Sequence, residues 1–389
     1  NESVRVLRGM ALMLVLLLGV VSIVTDLTYE GARSIAGPFL AVLGASATVV
    51  GFTAGLGELI GYSLRLVSGY VSDRTRRYWL ITFMGYGLNL FAVPLLALAG
   101  RWELAAALMV AERLGKAVRT PARDAMLSHA TRSVGHGWGF GLHEALDQAG
   151  AVLGPLVVAG VLYLGGGYPT GFAVLVVPAA MAMAVLLAAW RLYPDPHDLE
   201  AQAVRLEAGG LPRAFWIYLL GAALIAAGYV DFPLISYHFQ RTGLAGESLI
   251  PTLYAVAMGV DAIAALVFGR LFDRLGVSTL ALVSVLTAFF PPLVFLGGFG
   301  PALLGMALWG LGMGAQESVM RAAVAGMAPA GRRGTAFGIF NSGFGVCWFL
   351  GSVLAGRLYD LSLPGLVGFS AVLQLASVPL LLYLRREKY

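Results

Sequence analysis

Gly69-Tyr70-Val71-Ser72-Asp73-Arg74-Thr75-Arg76-Arg77 closes one long apolar run, and Gly269-Arg270-Leu271-Phe272-Asp273-Arg274 closes another 200 residues later. Glycine, aspartate and arginine recur at the same spacing, each time at the polar end of a segment long enough to be a helix. A shift of 197 residues sets Gly115 on Gly312, Phe140 on Phe337, Gly141 on Gly338 and Gly154 on Gly351 without a gap. Identities repeated at nearly one offset predict a chain built from two copies of one unit.

Of the 389 residues 59% are hydrophobic and 12% charged, too apolar a balance for a water-soluble domain of this length. A membrane span needs about 20 apolar residues, and runs of that length recur between short polar or Gly/Pro breaks. In the first half they are Gly9 to Ala36, Ser46 to Ser72, Tyr78 to Leu98, Glu103 to Asp124, Gly137 to Tyr163 and Tyr168 to Leu192. In the second they are Pro212 to Gln240, Glu247 to Phe272, Ser278 to Leu296, Pro301 to Arg321, Gly334 to Leu358 and Leu363 to Leu384. The expected fold is an all-α membrane protein whose twelve transmembrane helices form two pseudo-symmetric six-helix bundles, residues 1–192 and 212–389. A hydrophilic linker at 193–211, holding Pro194, Asp195, Pro196, His197, Asp198 and Glu200, joins them. Gly9 to Val24 is followed by no Ala-x-Ala-like cleavage site and is expected to be a span rather than a leader.

A net charge of +5 does not point to nucleic acid, because the basic residues form short clusters between spans. Arg5, Arg8, Arg74, Arg76, Arg77, Arg123, Arg132, Arg191, Arg205 and Arg213 fall on one side in the first half and linker. Arg270, Arg274, Arg321, Arg332, Arg333, Arg385, Arg386 and Lys388 join them, whereas the opposite loops offer Arg101 and Arg241. The excess marks the cytoplasmic face, so a monomer in the lipid bilayer of the inner (cytoplasmic) membrane is expected, with both termini cytoplasmic. Cys347, the sole cysteine, forms no internal disulfide. His129, His136 and His143 are seven apart, but Gly135, Gly137 and Gly139 should interrupt a helix between them, and no metal site is expected. His-Glu-x-x-His, Gly-x-Ser-x-Gly and the phosphate-cradling Gly-x-x-x-x-Gly-Lys-Ser/Thr are all missing, which argues against an enzyme, a cofactor or ATP drive.

Charges inside spans carry the chemistry. Asp26, Glu30 and Arg33 stand at i,i+4 and i,i+3 spacing, so all three share one helix face. Each costs about 2.5–3.5 kcal/mol at the centre of a lipid-facing helix, so they should face a bundle interior or wet cavity. The alternative is a first span that ends near Thr25 and leaves the trio at the surface. The fourth span offers partners in Glu112, Arg113, Lys116 and Arg119, and Glu58, Arg65, His143, Glu144 and Asp147 complete the first-half set. A carboxylate that loses its cationic partner as the protein changes state can bind a proton. Proton coupling is therefore expected among Asp26, Glu30, Arg33, Glu58, Arg113, Lys116, Arg119, His143 and Asp147. Asp231, Tyr237, Asp261, Glu317 and Asn341 are the candidates for a substrate cavity in the second half. Asp73, at a helix end, can accept N–H bonds from a neighbouring helix N-terminus near Gly334.

Gly69-x-x-x-Asp73-Arg74-x-x-Arg77 after the second span resembles the loop signature of the major facilitator superfamily, and Gly269, Asp273, Arg274 and Gly276 are similar to its second copy. Arg76 stands where that signature usually has glycine. The resemblance implies alternating access to a small-molecule substrate and a cytoplasmic gate in which Arg74 and Arg77 pair with Asp124. Arg113 resembles the family's fourth-span arginine, although Gly115 follows two positions later where the family has glycine at four. Gly150-Ala-Val-Leu-Gly154-Pro155 resembles the Gly-x-x-x-Gly-Pro motif of antiporter branches. Thr25-Asp26 to Glu30, Val42 to Ser46, Leu66 to Gly69, Arg119-Thr-Pro121 to Asp124 and Gly141-Leu-His143 to Asp147 are similar to a prokaryotic efflux-type branch. Together they imply proton-coupled efflux of a drug-like or amphipathic compound. An organic-anion carrier is the alternative, with Arg33, Arg65, Arg113, Lys116 and Arg119 as its cations.

Overall fold

The computed structural model describes the backbone of residues 2–131, 136–194, 210–328 and 333–386, and the side chains of residues 12–72, 74–127, 143–194, 210–328 and 335–384. The first half holds α1 (Glu2–Val42), α2 (Ala47–Thr75), α3 (Tyr78–Leu95), α4 (Trp102–Thr131), α5 (His136–Tyr163), α6 (Tyr168–Val174) and α7 (Val176–Leu192). The second holds α8 (Arg213–Gly228), α9 (Phe232–Thr242), α10 (Leu249–Leu275), α11 (Ser278–Thr287), α12 (Phe290–Phe295), α13 (Phe299–Ala315), α14 (Arg321–Met327), α15 (Arg333–Leu361) and α16 (Leu363–Arg386).

These are the twelve expected spans, four of them interrupted. The sixth is α6 and α7, the seventh α8 and α9, the ninth α11 and α12, and the tenth α13 and α14 across a π turn at Gln316–Met320. Ten segments of the described residues are long and apolar enough to cross a bilayer. The other two have visible reasons to fall short. Helix α4 carries Glu112, Arg113, Lys116, Arg119, Arg123 and Asp124, and the π turn divides the tenth span. Two sequence expectations change. Helix α1 runs unbroken past Thr25 and Ala36 to Val42, where Gly44 adopts φ +84° and Ala45 N–H bonds back to the Leu40 carbonyl. Asp26 therefore lies well inside the helix. Helix α5 starts at His136 and continues through Gly137 and Gly139, so those glycines do not break it; the side chains of His129 and His136 lie outside the described residues.

The described chain forms two compact units, residues 1–33 with 64–203, and residues 34–63 with 204–389. Helices α1 and α2 thus contribute to both. Each unit repeats one close contact. A Cβ on Gly154 would strike the Leu27 carbonyl oxygen, seating α5 on α1, and a Cβ on Gly351 would strike the Ala227 carbonyl oxygen, seating α15 on α8. Gly154 and Gly351 are 197 residues apart and Leu27 and Ala227 are 200 apart, so the duplication read in the sequence is a duplication of packing. Small residues let helix backbones touch where lipid supplies no hydrophobic drive to associate.

The two copies of the polar loop each place a positive-φ residue at the matching position. Arg76 has φ +54° and Gly276 φ +59°. Glycine enters that left-handed region freely and arginine does not.

Candidate functional site

Unit 1 concentrates charge between α1, α3, α4 and α5. Arg119, 1% exposed, stands with Nη2 4.0 Å from Asp26 Oδ1 and its guanidinium 4.4 Å from the centre of the Tyr86 ring. Its Nε and Nη1 have no hydrogen-bond partner among the described residues. Gly85 makes this possible, because a Cβ there would lie 2.6 Å from the Arg119 backbone nitrogen. The other charges facing Asp26 are Asp147, Lys116 and Glu30.

One turn back along α4, two cations lie over one aromatic ring: Lys116 Nζ is 3.7 Å and Arg113 Cζ 4.9 Å from the Tyr29 ring centre. Such contacts are worth about 2 kcal/mol or more where water is excluded, and Tyr29 is 2% exposed. Glu112 accepts a short hydrogen bond from Asn89 Nδ2 and lies 3.8 Å from Arg113 Nε. The Asn89 amide also donates to the Glu112 carbonyl at 3.1 Å. Glu30 and Glu112 are buried on facing helices.

On the α5 side, Ser22 Oγ donates a short hydrogen bond to Asp147 and lies 3.2 Å from His143 Nε2, itself 3.8 Å from Asp147 Oδ2. Gly150 sets this group beside Asp26: a Cβ there would meet the Ile23 carbonyl and stand 3.1 Å from Asp26 Cβ. The Gly150–Gly154 stripe is thus the surface on which α5 approaches α1 at the charged residues. No group of three or more metal-ligating side chains occurs among the described residues.

The sequence pattern of the Major Facilitator Superfamily matches residues 11–352 and, in a second match, 232–389. The chain belongs to the Major Facilitator Superfamily. It is 42% identical over 374 residues to an uncharacterized protein of Mycobacterium tuberculosis, covering 94% of this chain and 91% of that one. It is 24% identical over 379 residues to an uncharacterized MFS-type transporter of Methanocaldococcus jannaschii, covering 95% and 94%. Among solved structures, the peptide transporter POT in complex with sulfate has a TM-score of 0.77 at 16% identity, covering 95% of this chain and 93% of that chain. The nucleoside transporter NupG (D323A mutant) has 0.74 at 13%, covering 96% and 98%, which establishes a shared fold. This facilitator is a multi-pass membrane transporter and not an enzyme.

The facilitator loop signature is laid out as follows. Gly69 faces Pro121 at the end of α2, Ser68 Oγ donates to the Val118 carbonyl at 2.6 Å, and Arg74 Nη1 donates to Tyr70 at 2.7 Å. Asp124 is paired with Arg123, at 2.7 and 3.0 Å, where the family resemblance implied Arg74 or Arg77. Arg77 is exposed, and the Asp73 side chain, with its expected contact near Gly334, lies outside the described residues. In the second copy Asp273 and Arg274 are exposed, and Gly269 has open space where a Cβ would stand.

Of the second-half candidates, Asp231 is buried and caps α9 through the Phe232 N–H at 2.8 Å. Tyr237 is buried and donates to the Ala45 carbonyl at 3.0 Å. Asp261 is buried with Oδ1 against Gly314, Asn341 is half-buried and Glu317 is exposed on the π turn. Glu58 is half-buried on the part of α2 that belongs to unit 2, and Arg33 and Arg65 are half-buried in unit 1. Ser22, Tyr29, Tyr86 and Asn89 were not expected at the site. Asn89 alone left a sequence signal, as an amide within an apolar span.

Proposed function

We propose that this facilitator is a proton-coupled exporter, moving a small drug-like or amphipathic solute out across the cytoplasmic membrane in exchange for protons by alternating access. The observation that supports this reading best is the Asp26–Arg119 pair. A half-buried carboxylate 4.0 Å from a buried guanidinium that keeps two donors unmatched is a contact that one proton can dissolve. With a proton on Asp26 the pair loses its attraction, while the Tyr86 face still covers the Arg119 guanidinium. Ser22, His143 and Asp147 offer groups that can hand that proton on. Because the Gly150–Gly154–Pro155 stripe seats α5 against α1 beside Asp26, tilting α5 changes the Asp26–Asp147 spacing and links proton binding to motion. The basic-residue excess orients this cycle, with the Arg74–Arg77 loop and both termini in the cytoplasm.

One observation favours the organic-anion carrier instead. The unmatched Nε and Nη1 of Arg119 leave two donors of a buried cation open, each able to bond an oxygen of a carboxylate or phosphate. Purified protein in liposomes with a trapped pH-sensitive dye separates the two. Proton movement driven by cationic or amphipathic drugs and not by organic anions supports export. Uptake of labelled organic anion with the dye unchanged contradicts it.

A further inference from the structure

Asp360 sits in the last turn of α15, where a carboxylate opposes the dipole of its own helix. Its position suits a different helix. Asp360 Oδ1 accepts the Ala47 N–H at 3.2 Å, and Oδ2 accepts the Thr48 N–H at 2.9 Å and the Thr48 hydroxyl at 2.6 Å. Ser46 Oγ takes the Val49 N–H at 3.3 Å. One side chain from α15 thus satisfies two of the donors that the start of α2 leaves open.

The carboxylate ends a seam. One turn before it, Gly356 touches the Ala47 carbonyl, Ser352 lies against Gly51 and Gly55, and the Phe349 ring meets Phe52 edge-on at 5.6 Å. Ser352 is 4% exposed whereas Asp360 is exposed, so water reaches the hydrogen bonds but not Ser352 beneath them. All of these contacts lie within unit 2, although residues 34–63 come from the first six spans and α15 from the last six. In an alternating-access cycle the two sets of spans must part at this end, and the Asp360 bonds, with the Tyr237–Ala45 bond, are polar contacts that parting breaks.

We propose that Asp360 is a positioning residue for transport, a latch that acts through the N-terminus of α2 and whose release admits solvent along the α2–α15 seam. The latch rests on the alternating-access cycle proposed above, and on the basic-residue excess that puts the α1–α2 turn on the outer face. It does not depend on the coupling ion.

The test uses full-length protein in sealed liposomes, with Cys347→Ala and a reporter Ser352→Cys, reacted with a membrane-impermeant maleimide on the α1–α2 side. Losing hydrogen bonds to a charged group is expected to raise the labelling rate about tenfold in Asp360→Ala, with Asp360→Asn between that and the parent and Asp360→Glu near the parent. Solute exchange in Asp360→Ala is expected to change in maximal rate while half-saturation is retained. Labelling that responds to solute yet is the same in all four proteins, each of unchanged melting temperature, overturns the latch and leaves alternating access standing. Labelling that no solute, pH or substitution alters overturns both.

Discussion

Arg119 Nη2 lies 4.0 Å from Asp26 Oδ1, while Nε and Nη1 of the same guanidinium have no hydrogen-bond partner among the described residues. A guanidinium 1% exposed and so incompletely matched is held by geometry more than by bonding: the Gly85 notch fixes its backbone and the Tyr86 ring covers its face. That combination suits a charge that must change partners in a working cycle.

Arg119→Lys keeps the charge and loses the planar fork over Tyr86. Exchange is expected to fall about tenfold, equivalent to about 1.4 kcal/mol, because an ammonium does not reproduce a stacked guanidinium. Arg119→Gln should abolish coupling. Its stability loss should stay below the about 3–5 kcal/mol that follows when a buried charge is stranded, since Asp26 can neutralise itself by taking a proton. Initial exchange rates and thermal unfolding in detergent check the two statements separately.

Tyr29 carries two cations on one ring. Tyr29→Phe retains the ring and is expected to keep most of the exchange activity, whereas Tyr29→Leu removes a contribution of about 2 kcal/mol per cation at this buried ring and should lower both activity and stability. Similar losses in the two variants would assign the effect to the hydroxyl and contradict the ring-face account.

Gly154→Val drives a branched side chain into the Leu27 backbone. A loss of about 1–3 kcal/mol is expected from overpacking. Gly160→Ala on the same helix, with open space at its Cβ position, should cost nothing. Cys347, the sole and half-buried cysteine, reports unfolding through its reaction with a thiol-reactive dye on heating.

Arg76 has φ +54°, a positive φ like that of Gly276 in the second copy, φ +59°. Relief of about 1–2 kcal/mol of left-handed strain in Arg76→Gly is partly offset by about 0.5–1 kcal/mol of added chain entropy in the unfolded state. A rise of about 1–2 °C in melting temperature is expected, measured with the same dye.

The spans, the duplication and the family were legible in the sequence because each leaves a long-range pattern. Apolar runs of the right length mark the helices, and Gly154 and Gly351 repeat at the offset at which their packing repeats. The site was half legible. Asp26, Arg113, Lys116 and Arg119 stood out because ionised groups are rare in spans. Tyr29 and Tyr86, their ring partners, read as ordinary apolar packing, because an aromatic residue carries no mark of the cation above it. Ser22 was hidden for a similar reason, a hydroxyl in a membrane helix being free to bond its own backbone. The Arg123 partner of Asp124 left no signal because adjacent helical residues do not face each other; the long Arg123 side chain curls back from within α4 to reach it. Asp360 gave no signal, since its partner is the start of a helix 312 residues away.

A proton on Asp26 is proposed to couple to solute movement. The most direct measurement is solute-driven proton flux beside solute–solute exchange in the same liposomes, for the parent and Asp26→Asn. With the amide mimicking the protonated acid, exchange should persist within about threefold while net proton flux vanishes. Proton flux at the parental rate in Asp26→Asn would contradict the claim and move coupling to another carboxylate of the cluster.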